Sequence, residues 1–178
     1  MLKRWEEMTS PEIAALDRAK TVVFVPIGPL EEHGPHLPVG TDLFEALEVT
    51  RRTAEAIAKD RPDLTLVTLP IIPVAVDAIE APGSLFTRPS AIHDLVVDLG
   101  ASLARQGFRY VVVMNHHGSP RNLVCLEMAA RRVSALHGIR MISPASGMGY
   151  RLYFRGELSR LEAYLDKPLP PPGIAGLK

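Results

Sequence analysis

The run Thr-Val-Val-Phe-Val-Pro-Ile at 21–27 is β-branched and apolar at nearly every position. A strand with one wet face alternates apolar and polar residues; a continuous run reads as a strand covered on both faces, as in parallel sheets flanked by helices. Similar runs recur at 64–69, 110–114 and 139–142. Between them lie helical patterns from 41 to about 59, about 90 to 106, and 121–136, closed by Arg61-Pro62, Gly107 and Gly138. Strands alternating with helices of a dozen or more residues predict βαβ units. The expected fold class is therefore α/β, three-layered, with a mostly parallel sheet of about four or five strands and helices on both faces.

The flanks are read the same way. Thr9-Ser10-Pro11-Glu12 reads as a helix start with Ser10 as the cap, running to about Lys20. Residues 146–149 read as flexible, and 152–165 as a final helix. A single domain over 1–166 is expected, with a Pro-rich tail at 167–178.

A chain of 178 residues, 47% hydrophobic, holds a full core. Twenty basic residues balance twenty acidic ones, which gives no footprint for nucleic acid or an acidic membrane. The lone cysteine, Cys125, excludes an internal disulfide and falls in an apolar helical pattern, as a buried inert thiol would. No apolar run reaches the ~20 residues of a membrane span, and the charged N-terminus lacks a signal-peptide core. A cytoplasmic protein is the expectation.

Right-handed crossovers place the loops after successive strands on one sheet edge, where open α/β sheets bind ligands. Two loops there are rich in metal-ligand residue types. After 21–27 come Glu31, Glu32, His33, His36 and Asp42 within a dozen residues; after 110–114 come Asn115, His116, His117 and Gly118. Zn or Mn sites need nitrogen and oxygen donors converging from rigid backbone. In an extended segment, Glu31 and His33 face one way and Glu32 the other. Asp42 is equally well placed as a first-turn acid of a helix. His36 either lines a pocket or bonds backbone, and one of His116 and His117 is expected to face the cleft. The chain lacks GxSxG, GxxxxGK[ST] and a strand-linked GxGxxG.

On these residues the chain resembles the creatininase (creatinine amidohydrolase) family. Gly28-Pro29-Leu30-Glu31-Glu32-His33-Gly34-Pro35-His36-Leu37-Pro38-Val39-Gly40-Thr41-Asp42 matches the family's first motif, G-x-x-E-x-H-G-x-H-L-P-x-x-T-D. Asn115-His116-His117-Gly118-Ser119 fits Asn-Gly-His-Gly-Gly with substitutions, and Pro82-Gly83-Ser84 resembles the Pro-Gly-Thr loop. The resemblance implies a two-metal hydrolase of non-peptide C–N bonds, such as amides, using up to two Zn or Mn ions. Glu31, Asp42 and His117 would hold one ion, and His33 with a bridging Asp42 the other; His116 falls on the family's glycine. His36 and Ser84 would line the substrate site, and a homo-oligomer, commonly a hexamer, is implied.

Three departures accompany the match. Ser119 stands where creatininase has the second ion's carboxylate. The aromatic residue and histidine that often precede Pro-Gly-Thr are replaced around Ala78 and Ala81. The later His-Ala-Gly-x-x-Glu-Thr segment, with further catalytic residues, has no counterpart through Lys178. The alternative expectation is thus a truncated, non-catalytic remnant or assembly subunit that keeps a partial metal site. Phosphoester chemistry is a weaker third reading, kept open by Arg121.

Overall fold

The computed structural model describes residues 2–149. The expected helix over 152–165 and the tail at 167–178 lie outside these residues. Five strands form one sheet: β1 (Leu2–Arg4), β2 (Thr21–Ile27), β3 (Thr65–Thr68), β4 (Tyr110–Asn115) and β5 (Arg140–Ile142). Their order is β1-β3-β2-β4-β5, and every paired strand runs parallel. The helices are α1 (Ser10–Ala14), α2 (Thr41–Asp60), α3 (Pro89–Arg105), α4 (Pro120–His137) and α5 (Pro144–Gly149). The α/β class, the parallel sheet and the three long helices agree with expectation.

The continuous apolar run explains the central position of β2. Val23, Val25 and Ile27 join Val111 and Val113 of β4 against Ile92 and Val96 of α3 and Leu126, Ala129 and Val133 of α4. Phe24 and Met114 turn to the other face, toward Ala54 and Ile57 of α2. A strand buried on both sides has no place for polar alternation. Pro26 is tolerated because the register with β3 ends at Phe24↔Thr68, before it, so its missing N–H breaks no rung of that ladder.

The strand order creates the cleft. β2 has β3 on one side and β4 on the other, so the connection through α2 leaves one way and that through α3 returns past it. The loops leaving β2 and β4 diverge at this switch point, the usual ligand crevice of open α/β sheets. Ile27 and Asn115 are register partners at its floor.

Three local expectations are corrected. Thr9, not Ser10, is the N-cap of α1; its N–H donates to Glu12 Oε2 at 2.7 Å. α1 stops at Ala14 rather than near Lys20, because Asp17 builds a turn that accepts from Ala19 N–H (2.8 Å) and Thr21 Oγ1 (2.6 Å). The residues at 146–149, read as flexible, belong to α5, where Ser146 Oγ donates to Leu123 O at 2.9 Å. The edge strand β1 is a further element that three residues are too few to announce by periodicity. Among the described residues, no helix is long and apolar enough to cross a membrane.

Candidate metal centre

The residues that end β2 and begin α2 approach closely. A Cβ at Gly28 would sit 3.3 Å from Asp42 O, so glycine lets the strand end meet the helix start. Asp42 lies in the first turn of α2 and heads its buried stripe, Asp42, Ala46, Thr50 and Ala54. The small side chains of Ala46 and Ala54 leave room for the helix to lie close on the sheet. The loop from β2 is tied down on both sides. Glu31 N–H donates to Val39 O (2.8 Å), and Glu32 N–H to Ser84 Oγ (2.9 Å). The segment at 74–87 also bridges antiparallel at Leu30↔Leu85.

Glu31, Asp42 and His117 converge, each offering one ligand atom, and these atoms all lie within 4.8 Å of one another. Their exposures are 5%, 4% and 6%. His117 Nδ1 lies 3.2 Å from Glu31 Oε2 and 3.1 Å from Asp42 Oδ2. The other oxygen of Asp42, Oδ1, faces His33 Nε2 at 3.4 Å. Asp42 thus stands between two imidazoles, one per oxygen. Its Oδ2 is buried without a hydrogen-bond partner among the described residues. The 3.1 Å contact with His117 is therefore off the line a hydrogen bond needs.

Backbone carbonyls fix the tautomer of both histidines. His117 Nε2 lies 3.0 Å from Val76 O, and His33 Nδ1 lies 2.9 Å from Glu31 O. A carbonyl only accepts, so each of these nitrogens carries the proton. The remaining nitrogens, His117 Nδ1 and His33 Nε2, carry lone pairs close beside carboxylates when the rings are neutral. That arrangement repels unless a cation lies between, or the rings are protonated. Metal-binding histidines carry just such a second hydrogen bond on the distal nitrogen.

The electrostatics agree. Burial pushes Asp42 upward, but His117 and His33 beside it outweigh that, and its carboxyl lies below the ordinary value. Burial pushes His117 down, yet Asp42 and Glu31 hold it above the ordinary value. His33 is likewise raised, against burial, by its bond to Glu31 O and by Asp42 and Glu31.

Other sequence candidates stand apart from this group. His36 is exposed, and His116 is exposed with Nδ1 2.6 Å from Glu45 Oε2. Ser84 accepts from the Glu32 backbone and so clamps the first loop. Glu32 turns away and accepts from Gly34 N–H (2.6 Å). Arg121 pairs with Asp77 at 2.9 Å, and Ser119 Oγ donates to the same carboxylate at 3.0 Å. Cys125 is buried, burial pushes its thiol up, and it donates to Pro89 O at 3.2 Å.

One residue central to the arrangement is absent from the sequence reading. Asn122, fully buried at the head of the α4 stripe, accepts from Val76 N–H (3.2 Å) and donates to Asn115 Oδ1 (3.0 Å). Asn115 in turn accepts from His117 N–H (3.3 Å) and donates to His117 O (2.8 Å). This pair of amides ties the His117 loop to the irregular segment whose carbonyl orients the His117 ring. The available signal was a polar residue four before Leu126, seven before Ala129 and eleven before Val133, on a stripe otherwise apolar.

A parallel sheet with a buried carboxylate–imidazole group at the carboxyl ends of β2 and β4 defines an α/β protein with its site at the switch point. The chain belongs to the creatininase family: that family's model, described as creatinine amidohydrolase, matches residues 6–166. It is 32% identical over 99 residues to a mycofactocin precursor peptide peptidase of Mycolicibacterium smegmatis, covering 55% of this chain and 40% of that protein. It is 26% identical over 114 residues to a 3-dehydro-scyllo-inosose hydrolase of Thermotoga maritima, covering 64% of this chain and 35% of that one. The matches thus span less than half the length of these relatives. A crystal structure of creatininase shares the fold with a TM-score of 0.66 at 24% identity, covering 94% of this chain and 65% of that one.

Proposed function

We propose that this chain carries the metal centre of a metal-dependent hydrolase of non-peptide C–N bonds. Glu31, Asp42 and His117 would hold one divalent ion, with His33 and the second oxygen of Asp42 contributing to another. The single observation that carries the reading is the buried trio with the unpartnered Asp42 Oδ2 at its centre. Two imidazoles, each held by a carbonyl on one nitrogen and set beside that carboxylate by the other, fit a cation. Solved creatininases with this fold include a Zn-Zn form and a Mn form, which makes Zn and Mn the first ions to try. A bound divalent ion supplies Lewis acidity and a nucleophilic water at neutral pH.

The protein's own part is to hold the donors and exclude competitors. Ile79 N–H occupies Glu31 Oε1 at 2.6 Å, which leaves Oε2 for the centre. Val76 O and Glu31 O set which nitrogen of each ring is free. Ser84 and Val39 keep the first loop closed over β2.

A second reading, metal binding without turnover, has its own observation. Among the described residues only Asp42 and His33 meet on the second side, and Ser119 brings a hydroxyl engaged by Asp77. The experiment covers both. Metal content of the purified chain is measured beside Asp42→Ala and His33→Ala, and simple amides are offered with and without chelator. The expected result is bound metal lost in Asp42→Ala, reduced in His33→Ala, and chelator-sensitive turnover. Unchanged metal in both variants overturns the centre; metal without turnover selects the second reading. Sedimentation of the same samples tests the expected homo-oligomer.

A further inference from the structure

Among the described residues, Asp77 is the one non-glycine with a left-handed backbone, at a φ of 61°. That region crowds a Cβ against the following carbonyl, and Asp and Asn enter it more readily than other side chains. Such strain persists where the surroundings fix it, and it gathers at functional sites. The turn at Asp77 lies between two peptide groups that hold two of the three converging side chains. On one side, Val76 O meets His117 Nε2 at 3.0 Å. On the other, Ile79 N–H donates to Glu31 Oε1 at 2.6 Å. Asp77 and Ala78 alone separate these groups, so the φ and ψ of those two residues set their relative directions.

The approach to the turn is pinned. Thr87 N–H donates to Ala75 O at 3.2 Å, and Val76 N–H donates to Asn122 Oδ1 at 3.2 Å. With that approach held, moving φ of Asp77 to the ordinary negative range swings Ile79 N–H off Glu31 or Val76 O off His117. The side chain ties the turn to the start of α4: Oδ2 accepts from Ser119 Oγ at 3.0 Å and Oδ1 from Arg121 Nη1 at 2.9 Å. An acid beside a helix N-terminus is favourable anyway. That accounts for the carboxylate and leaves the positive φ to be accounted for.

We infer that Asp77 is a positioning residue of the metal centre: its left-handed turn aims Val76 O at His117 and Ile79 N–H at Glu31, which brings His117 Nδ1 and Glu31 Oε2 together. The inference rests on the proposed metal centre and adds a residue outside its ligand set.

The test uses binding rather than turnover. Zinc affinity is measured by competition with a chelating dye for the full chain and for Asp77→Asn, Asp77→Gly and Asp77→Ala, with urea unfolding of each metal-free protein. Asp77→Gly and Asp77→Ala both lack the carboxylate and differ in their tolerance of positive φ. Asp77→Asn is expected within about threefold of the wild type and Asp77→Gly within about fivefold, because both accept the turn. In Asp77→Ala the turn relaxes without metal and binding must restore it, so affinity falls about fivefold to thirtyfold below that of Asp77→Gly. Equal affinities for Asp77→Gly and Asp77→Ala, within about twofold, overturn the inference whatever their stabilities, since a residue that only caps α4 gives that result. Asp77→Asn no better than Asp77→Ala overturns it as well. A loss beyond about tenfold in Asp77→Gly assigns the effect to the carboxylate and overturns the role of the turn, even where Asp77→Ala fails to fold. Absence of zinc binding by the wild-type chain overturns the metal centre and this inference with it; with wild-type binding intact, the other adverse results overturn the positioning role alone.

Discussion

Replacing Asn122 by alanine tests whether the amide pair beneath the site supports both the fold and the metal. Asn122 is fully buried, and its side chain satisfies Val76 N–H and Asn115 Oδ1. Truncation strands Val76 N–H, at about 1–3 kcal/mol, and removes one of the two donors to Asn115 Oδ1, at about 0.5–1.5 kcal/mol, since His117 N–H still reaches that oxygen. Alanine returns at most about 0.7 kcal/mol of helix propensity. The cap of α4 is untouched, because Ser119 Oγ accepts from the backbone N–H of residue 122. The net expectation is a loss of about 1–4 kcal/mol, a substantial part of the roughly 5–15 kcal/mol that holds a domain together. Metal affinity falls as well, by about tenfold to a hundredfold, as for lost supports of metal-binding histidines. The cause is specific: Val76 O orients His117, and Asn122 holds Val76. Asn122→Asp sharpens the test. It keeps the acceptor for Val76 N–H but sets an oxygen against Asn115 Oδ1. Asn115 cannot flip in response without breaking both of its bonds to the His117 backbone. Urea unfolding of the metal-free protein and competition with a chelating dye read the two effects. A stability change below about 0.5 kcal/mol refutes the satisfied network. A large stability loss with metal affinity unchanged within about twofold refutes the link to His117.

Two further outcomes follow from the same geometry. In the metal-free chain His117 and His33 are raised above the ordinary 6.5, so the stability they contribute is full below that value and lost as pH rises through their folded values. Asp42 is depressed, and its contribution is lost only as pH falls through its folded value, below the ordinary 3.8. Metal needs both rings neutral, so in metal-loaded protein stability rises with pH over the window just above 6.5, opposite to the metal-free trend. Thermal melts across pH with and without zinc check this; parallel trends refute it. At Gly100, in mid-α3, alanine gains about 1 kcal/mol of propensity. Its Cβ, however, would lie 2.7 Å from Met141 Sδ and 2.8 and 2.9 Å from the two γ-methyls of Val133, a side chain with one favoured rotamer in a helix. Overpacking at about 1–3 kcal/mol outweighs the gain, so Gly100→Ala melts lower by about 2–4 °C, and a higher midpoint refutes the packing argument.

The architecture was legible because its signals are long. A seven-residue apolar run and helices of 17 to 20 residues carry their period in the sequence. Glu31, His33, Asp42 and His117 could be singled out because their residue types are dense beside buried strands. What escaped were decisions made by single hydrogen bonds. Thr9 beat Ser10 to the cap because Glu12 lies three residues on from Thr9, where the capping box closes. The bond by which Ser84 Oγ receives a backbone N–H from a residue 52 positions earlier has no local signal. The divergent roles of His116 and His117 also depend on tertiary contacts: one ring meets Glu45 in solvent, the other a buried carbonyl.

Asp42 and Asn122 nevertheless share a pattern that a sequence can show. Each stands at the head of a helix's buried stripe, followed at i+4 by apolar residues on the same face: Ala46 after Asp42, Leu126 after Asn122. A polar group buried among apolar neighbours costs stability unless it is satisfied. At the start of a helix leaving a parallel strand, it lies on the sheet edge where ligands bind. The two residues answer the cost differently. Asn122 is satisfied within the protein, by Val76 and Asn115. Asp42 retains an oxygen with no hydrogen-bond partner among the described residues, 3.1 Å from His117 Nδ1. The first therefore serves as a support, and the second has the chemistry of a ligand. The distinction rests on partners, which only the folded chain reveals, while the position of both is written in the spacing of their helices.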